Sequence, residues 1–221
     1  SPNRGYIDID SKDVELHFKS RFAEAWPFDS IRGRMLYHND EGVFSVSSGL
    51  VEFAYKDQSA FGKIKLNFPR LEGYNWEILM GVKEGSLIES PRYVPSTLSS
   101  RLLDWLETSV IAGKSEESGI LLHGSLSKSS PRVARIFESY FRVRNMDLKY
   151  HPEWPILNDL NALVYINNKG LVSDNGDAKI HSLALTNVST AIRVPYQGKA
   201  KSVSVSADID GTLLDGFRIL S

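Results

Sequence analysis

Alternation of apolar and polar residues is the feature of this sequence that most restricts its fold. It is clearest in the stretches 13–19, 140–150 and 202–210. Successive side chains of a β-strand point to opposite faces, so a period of two residues predicts strands with one face in water and one face away from it. No such pattern is typical of a helical bundle.

The alternation changes phase once, at Asn145–Met146, which predicts a β-bulge there. Turn-forming residues recur between the alternating stretches, at 38–42, 167–170 and 174–177. Strands separated by short turns predict antiparallel pairing. The expected fold is therefore mainly β, an elongated antiparallel β-groove or half-barrel of stacked amphipathic strands.

One segment follows a helical period instead. Leu98, Leu102, Leu106 and Val110 recur at steps of four residues, which predicts an amphipathic helix at about 98–112. We expect it to pack as a lid on the apolar face of the sheet, with Leu102 and Leu106 as candidates for plugging or gating that face.

A weak internal repeat suggests how the chain is organised. Trp26-Pro27 and Trp154-Pro155 occupy equivalent places in two strand–corner–strand patterns, and repeated β-units predict a stacked architecture. We expect a first β-unit at 1–90, a helical insert at 91–115 and a second β-unit at 116–221 that continues the same sheet.

Composition excludes several classes of function. The 221 residues contain 26 Lys and Arg against 27 Asp and Glu, so net charge gives no reason to bind nucleic acid or an anionic membrane. There is no cysteine, which excludes disulfides and thiolate chemistry. No apolar run is long enough to span a bilayer. Since Ser1 is not Met, we expect a fragment of a longer protein, with any membrane anchor outside it.

Residues 208–215 read D-I-D-G-T-L-L-D, which matches the opening motif of haloacid-dehalogenase-type phosphatases. In those enzymes the motif ends a central parallel strand, and such a strand reads as a continuous apolar run. Here the preceding residues 202–206 alternate Ser and Val, which is typical of an amphipathic strand. We interpret the motif as coincidental and predict no catalytic residues. A phosphatase fragment stays an alternative hypothesis, after the two structures described at the end of this subsection.

Other searches for a chemical site give the same answer. The sequence has five histidines: His17, His38, His123, His151 and His181. They lack metal-ligand spacing, so we predict no metal and no cofactor. Cations and aromatic residues alternate between 132 and 149, which places the rings on the face opposite the cations. The rings then pack inward, and the cations form a solvated face instead of a nucleic-acid strip.

From about Tyr93 onward the sequence resembles the YhdP branch of the AsmA-like envelope proteins of Gram-negative bacteria. The matching positions are Arg92-Tyr93-Val94-Pro95, Leu103-Asp104-Trp105-Leu106, Leu148, Tyr150, Pro152, Trp154-Pro155, Leu157, Asp159-Leu160 and Ala162. The terminal stretch 202–220 also resembles a strand of the family, with Thr212 where the family usually has Pro. The first 90 residues match only in style.

The resemblance implies a periplasmic segment of a long chain anchored in the inner membrane by an N-terminal helix. It also implies a β-groove that moves phospholipid toward the outer membrane and supports the barrier function of that membrane. The expected partners are phospholipid acyl chains and the rest of the same polypeptide, with no nucleic acid, and with a membrane only through an anchor outside this segment.

The residues alone leave two structures open: an apolar groove that holds lipid, or a closed β-rich scaffold or protein-interaction domain whose interior is filled. Alternation is compatible with both, and the resemblance favours the groove. The candidate lining residues are Val14, Leu16, Phe18, Phe141, Val143, Leu148, Tyr150, Val203 and Val205.

Overall fold

The computed structural model describes residues 3–19, 22–40, 42–69, 75–94, 96, 100–125, 135–193 and 202–212. These residues are mainly β-structure, as the alternation predicts. The strands are β1 (Asn3–Leu16), β2 (Trp26–Asp40), β3 (Val43–Ser48), β4 (Val51–Tyr55), β5 (Gln58–Pro69), β6 (Asn75–Ser86), β7 (Val110–Ser125), β8 (Arg135–Leu148), β9 (Leu157–Asn167), β10 (Gly170–Ile180), β11 (Leu183–Arg193) and β12 (Ser202–Asp210).

The strands form one antiparallel sheet in which almost every strand is bonded to its neighbours along the chain. The order is β1-β2-β3-β5-β6-β7-β8-β9-β10-β11-β12, and β4 pairs with β2 and β5. β3 and β4 act as one strand interrupted at Gly49 and Leu50. β1 and β12 each have a single neighbour in this order, so they are its two edges and the sheet is not closed. The predicted fold class is confirmed.

The predicted helix is present but shorter than expected. A 3₁₀ turn (Ser90–Tyr93) precedes α1 (Ser100–Ser109), and the chain enters β7 directly at Val110. The helix ends early because the carbonyl of Ser109 accepts a hydrogen bond from the backbone N–H of Lys149 at 2.8 Å, which draws the chain into the sheet. Leu98 and the side chain of Leu102 lie outside the described residues.

The chain divides into two compact units. Unit 1 contains Ser1–Glu15, Pro27–Lys83 and Gly119–Ser139, and unit 2 contains Leu16–Trp26, Glu84–Ser118 and Tyr140–Ser221. The division at 1–90, 91–115 and 116–221 stays a prediction.

Unit 2 has a hydrophobic core. Its buried members are Leu87, Val143, Met146, Leu160, Ala178, Ile180, Leu185 and Val188, and partly buried side chains pack against them. Leu183, 1% exposed, is the most completely buried large side chain among the described residues. A sheet face with this degree of burial is packed like a domain interior.

A line of backbone irregularities crosses unit 2. Five consecutive strands, β7 to β11, each carry at least one residue with positive φ, and these include Gly113, Asn145, Asp159, Asn175 and Asn187. The predicted bulge in β8 is present, since Asn145 has φ of 47° and both Val143 and Met146 are buried although they lie three residues apart. Bulges bend a strand and increase its twist, so the line curves this part of the sheet.

Polar side chains satisfy the backbone groups that the bulges release. The amide oxygen of Asn161 accepts a hydrogen bond from the backbone N–H of Asn145 at 3.0 Å. The amide nitrogen of Asn161 donates to Asp177 on the next strand at 2.9 Å. Farther along, Asn187 donates to Asp208 at 2.7 Å. The first bond satisfies a backbone group at the bulge of β8, and the other two join side chains of neighbouring strands beside the bulges.

Candidate functional site

The register of β2 to β6 places most of the large apolar side chains of these strands on one side of the sheet. Residues directly opposite each other on antiparallel strands point to the same face. Tyr37 pairs with Val46, Val46 with Leu66 and Leu66 with Trp76, so one row of side chains crosses four strands. We call this side the apolar face of unit 1.

Parallel rows cover the rest of the apolar face. From one strand end to the other, the rows are Asn39, Phe44 and Phe68; Tyr37, Val46, Leu66 and Trp76; Met35, Ser48, Ile64 and Ile78; Gly33, Val51, Gly62 and Met80; Ile31, Phe53, Ala60 and Val82; and Tyr55 with Gln58. None of the residues in these rows is charged.

The apolar face of unit 1 is not buried as a core would be. Only Ile31 and Val51 among its large apolar side chains are buried, each 6% exposed. The others are half-buried, and Phe44 is 41% exposed. The wide apolar surface therefore stays partly open to water, which is unusual unless a ligand or partner covers it.

The opposite side of unit 1 is charged. Arg34 on β2 holds Asp8 on β1 through two hydrogen bonds of 2.6 and 3.0 Å, and Arg32 pairs with Asp10 at 3.2 Å. The hydrogen bond from Arg34 lowers the pKa of Asp8. Lys65 and Glu77 pair across β5 and β6 at 3.6 Å. This side, the charged face, carries these ion pairs together with four exposed apolar side chains: Leu36, Val43, Phe61 and Leu79.

Few polar atoms interrupt the apolar face of unit 1. The hydroxyl of Ser48 is occupied, since it accepts a hydrogen bond from the backbone N–H of Ile64 at 2.9 Å. The indole N–H of Trp76 is buried and has no hydrogen-bond partner within the described ranges. Tyr37 lies so close over Gly5 that a Cβ at that position would overlap its ring.

The structure brings together one group of the predicted lining residues. Val143 is 3% exposed in the core of unit 2, and Phe141 and Leu148 pack against that core. Partial burial raises the pKa of the neighbouring Tyr150 hydroxyl. In this structure the Val143 side chain is occluded by protein and contributes packing.

A second predicted group lies on an edge of the sheet. Val203 pairs with Ile192 and Val205 with Thr190, so the two valines extend the face formed by β11. They are 64% and 65% exposed. The edge strand therefore presents an uncovered apolar stripe.

The third group lies at the start of the chain. Val14 and Leu16 are half-buried on β1. Phe18 contacts Trp26 edge to face, with ring centroids 5.2 Å apart, and Trp26 contacts Tyr93 in the same way at 5.4 Å. The assignment of all nine residues to a lipid-lining surface stays a prediction.

Hydrogen bonds and an ion pair hold the 3₁₀ turn (Ser90–Tyr93) and α1 (Ser100–Ser109) to the rest of unit 2. The Trp26 indole donates to the carbonyl of Arg92 at 3.3 Å, and Arg92 pairs with Glu24 at 2.9 Å. The Trp105 indole of α1 donates to the carbonyl of Tyr150 at 3.3 Å. Leu106 is half-buried, and its role as a plug stays a prediction.

The described residues offer no competing chemical site. Within them no group of three or more histidine or carboxylate side chains could hold a metal ion. Asp208 lies on an antiparallel edge strand, not at the end of a central parallel strand. Its carboxylate accepts a hydrogen bond from Asn187. The helix in the described ranges is too short and too polar to cross a membrane.

The cations of β8 are paired with acidic residues of β7. Arg142 lies 3.8 Å from Glu117, and Arg144 lies 3.0 Å from Glu116. Phe141 packs toward the core on the same strand. Phe141 therefore lies on the inward side of β8, whereas Tyr140, 38% exposed, lies on the same side as the two arginines.

Sequence reasoning missed the apolar face of β2 to β6. The signal was present in residues 63–68, where Ile64, Leu66 and Phe68 alternate with Lys63, Lys65 and Asn67. The alternation in β2 is weaker because Gly33 takes an apolar position, and the interruption between β3 and β4 shifts its phase. Those two features hide a face that the register makes continuous.

Comparison with known proteins supports a single family. The model of the family described as YhdP protein matches residues 1–221. The chain is 21% identical over 214 residues to the intermembrane phospholipid transporter YhdP of Escherichia coli (strain K12), a match that covers 96% of this chain and 17% of that protein. No solved structure matches the chain.

Proposed function

The chain belongs to the YhdP family, and from this premise we propose that it is a periplasmic segment of a phospholipid conduit between the inner and outer membranes. In this proposal acyl chains lie on the apolar face of unit 1, and the conduit supports the outer-membrane barrier. The rest of a longer polypeptide continues the conduit and supplies a membrane anchor. The incomplete burial of the apolar face is the observation that carries the proposal.

The physical reason for such a face is the cost of exposing hydrocarbon to water. Each CH₂ group costs about 0.8 kcal/mol, so a tail of about sixteen carbons faces a cost on the order of 12 kcal/mol. An apolar face without charges offsets this cost without specific polar contacts. The six rows that form the face contain no charged side chain, which fits this requirement.

The relative's role favours the same proposal. The Escherichia coli protein is named as an intermembrane phospholipid transporter, and this chain corresponds to only part of its length. A part that transports lipid needs a surface for hydrocarbon and no catalytic group. Unit 1 offers such a surface.

Two neighbouring residues of β6 provide a matched test. Ile78 points to the apolar face, and Leu79, 57% exposed, points to the charged face. We expect the chain, expressed in the periplasm of a Gram-negative bacterium, to copurify with phospholipid detected by mass spectrometry. Ile78→Asp should lose the lipid, and Leu79→Asp should keep it, while both keep the circular dichroism of the sheet.

The alternative function is a closed scaffold or interaction domain, which the filled core of unit 2 favours for that part of the chain. Lipid-free wild-type protein in the same experiment would support the scaffold and contradict the conduit. Equal loss of lipid in both variants would show that the lipid is bound without regard to the face.

A further inference from the structure

The aromatic side chains of the apolar face of unit 1 occur only in its outer rows. Phe44, Phe68, Tyr37 and Trp76 lie in the two rows at one end of the strands, which we call the upper border. Phe53 and Tyr55 lie in the two rows at the other end, the lower border. The two rows between them, the floor, contain no aromatic residue.

The floor is aliphatic or small. Its residues are Met35, Ser48, Ile64, Ile78, Gly33, Val51, Gly62 and Met80. Val51 leans over Gly33 and Met80 over Gly62, because a Cβ on either glycine would meet those side chains within 3.0 Å. The glycines therefore let two larger aliphatic groups lie low, which gives a continuous hydrocarbon surface.

Hydrogen-bonding groups follow the same distribution. The hydroxyls of Tyr37 and Tyr55, the indole N–H of Trp76, and the amides of Asn39 and Gln58 all belong to the outer rows. The only polar side chain of the floor is Ser48, whose hydroxyl is already bonded to Ile64. A cation adds to the lower border, where the Lys56 ammonium lies 4.9 Å from the centre of the Tyr55 ring.

This banding matches the chemistry of a phospholipid. Tryptophan and tyrosine prefer the layer where hydrocarbon meets polar headgroups, because their rings are apolar and their N–H or O–H is not. Eight residue steps of β5 separate Leu66 from Gln58, which is about 26 Å at roughly 3.3 Å per residue. Bilayer hydrocarbon is about 30 Å thick across two leaflets, or about 15 Å for each, so the distance between the borders exceeds the depth of one leaflet and leaves room for one set of acyl chains over the floor.

We propose that the upper border is an interfacial layer that holds the glycerol and ester region of a phospholipid, while the acyl chains extend over the floor. The inference rests on the proposed function and adds the orientation of the lipid on the face. Trp76 is its best reporter, because it lies in the upper border and the other tryptophans, Trp26, Trp105 and Trp154, belong to unit 2.

Fluorescence quenching by brominated phospholipids tests this orientation. In the full chain with Trp26, Trp105 and Trp154 replaced by Phe, Trp76 is the single emitter. A matched chain with the additional changes Trp76→Phe and Ile64→Trp places the emitter on the floor. Each protein is loaded with phosphatidylcholine brominated either near the ester or near the terminal methyl of its chains.

We expect Trp76 to lose more fluorescence with bromine near the ester, and the floor tryptophan to lose more with bromine near the methyl end. The same order of quenching in both proteins, or stronger quenching of Trp76 by the methyl-end bromine, overturns the orientation while leaving lipid binding intact. Lack of quenching in both proteins, with no lipid retained, overturns the proposed function as well.

A second pair of proteins covers the case in which the triple replacement does not fold. The difference in quenching between the wild-type chain and Trp76→Phe isolates the contribution of Trp76 with the other tryptophans in place. That difference should be larger for the ester-end bromine. A larger difference for the methyl-end bromine contradicts the proposal.

Discussion

The two units have apolar sheet faces of similar composition but different burial. In unit 2 the face formed by β8 to β11 is packed, with Val143 3% exposed. In unit 1 the face formed by β2 to β6 is half-open, with two buried large apolar side chains among the described residues. Alternation determines which side chains share a face, whereas the burial of that face depends on chain segments that are distant in sequence.

The largest expected effect tests this contrast with one substitution made in both units. Val143→Asp places a carboxylate in the packed core and should destabilise the fold by more than about 4 kcal/mol. Val46→Asp places it on the half-open face, where water reaches it, and should cost about 1 kcal/mol. Urea unfolding of both variants measures the difference. Equal losses would mean that the two faces are covered alike.

The bulges give a smaller effect that separates the units. Asn145→Val puts a β-branched residue at a position with φ of 47° and should cost about 1–2 kcal/mol. Asn145→Gly should stay within about 0.5 kcal/mol, because glycine adopts that conformation without strain.

The interruption between β3 and β4 in unit 1 provides the control. Gly49 has no positive φ in the left-handed range, and a Cβ there would meet nothing within 4 Å, so Gly49→Ala should be neutral or slightly stabilising. If Gly49→Ala destabilised the fold as much as Asn145→Val, the backbone conformation at Asn145 would not explain the loss of stability there. Thermal unfolding monitored by circular dichroism is sufficient to measure it.

The smallest effect concerns the charged side of unit 1. Because Arg34 lowers the pKa of Asp8 from 3.8, the folded state holds that proton less tightly than the unfolded chain. The contribution of the pair to stability is therefore present above the unfolded pKa and disappears as pH falls through the lower, folded pKa.

An NMR titration of the Asp8 carboxyl carbon checks this. We expect a midpoint below 3.8 in the wild-type chain and a higher midpoint in Arg34→Gln. Since both side chains are exposed, added salt should reduce the difference. An unchanged midpoint in Arg34→Gln would show that Arg34 does not lower the pKa of Asp8.

Much of the architecture could be predicted from the sequence because it depends on local periodicity. The antiparallel strands and the bulge at Asn145 follow from the period of two residues and its single change of phase. The helix was predicted too long, since the bond between Ser109 and Lys149 is a tertiary contact that no local pattern reveals.

The functional surface was harder to predict for a physical reason. Val143 and Ile64 sit in similar alternating patterns, yet one is buried and the other half-open, and this difference depends on chain segments distant in sequence. The rows that join Tyr37 to Trp76 depend on register across four strands, which turn geometry and one interruption set together. Sequence patterns alone do not supply that register.

The strand order has a consequence for how the protein is made. Each strand bonds to strands that are adjacent or nearly adjacent in the chain, so the strands can be added one after another as the chain emerges. Short loop closures keep the entropic cost of each addition low. The same sequential strand order allows a hairpin to be inserted or removed without rearranging the other strands, which is a simple route to relatives of different length.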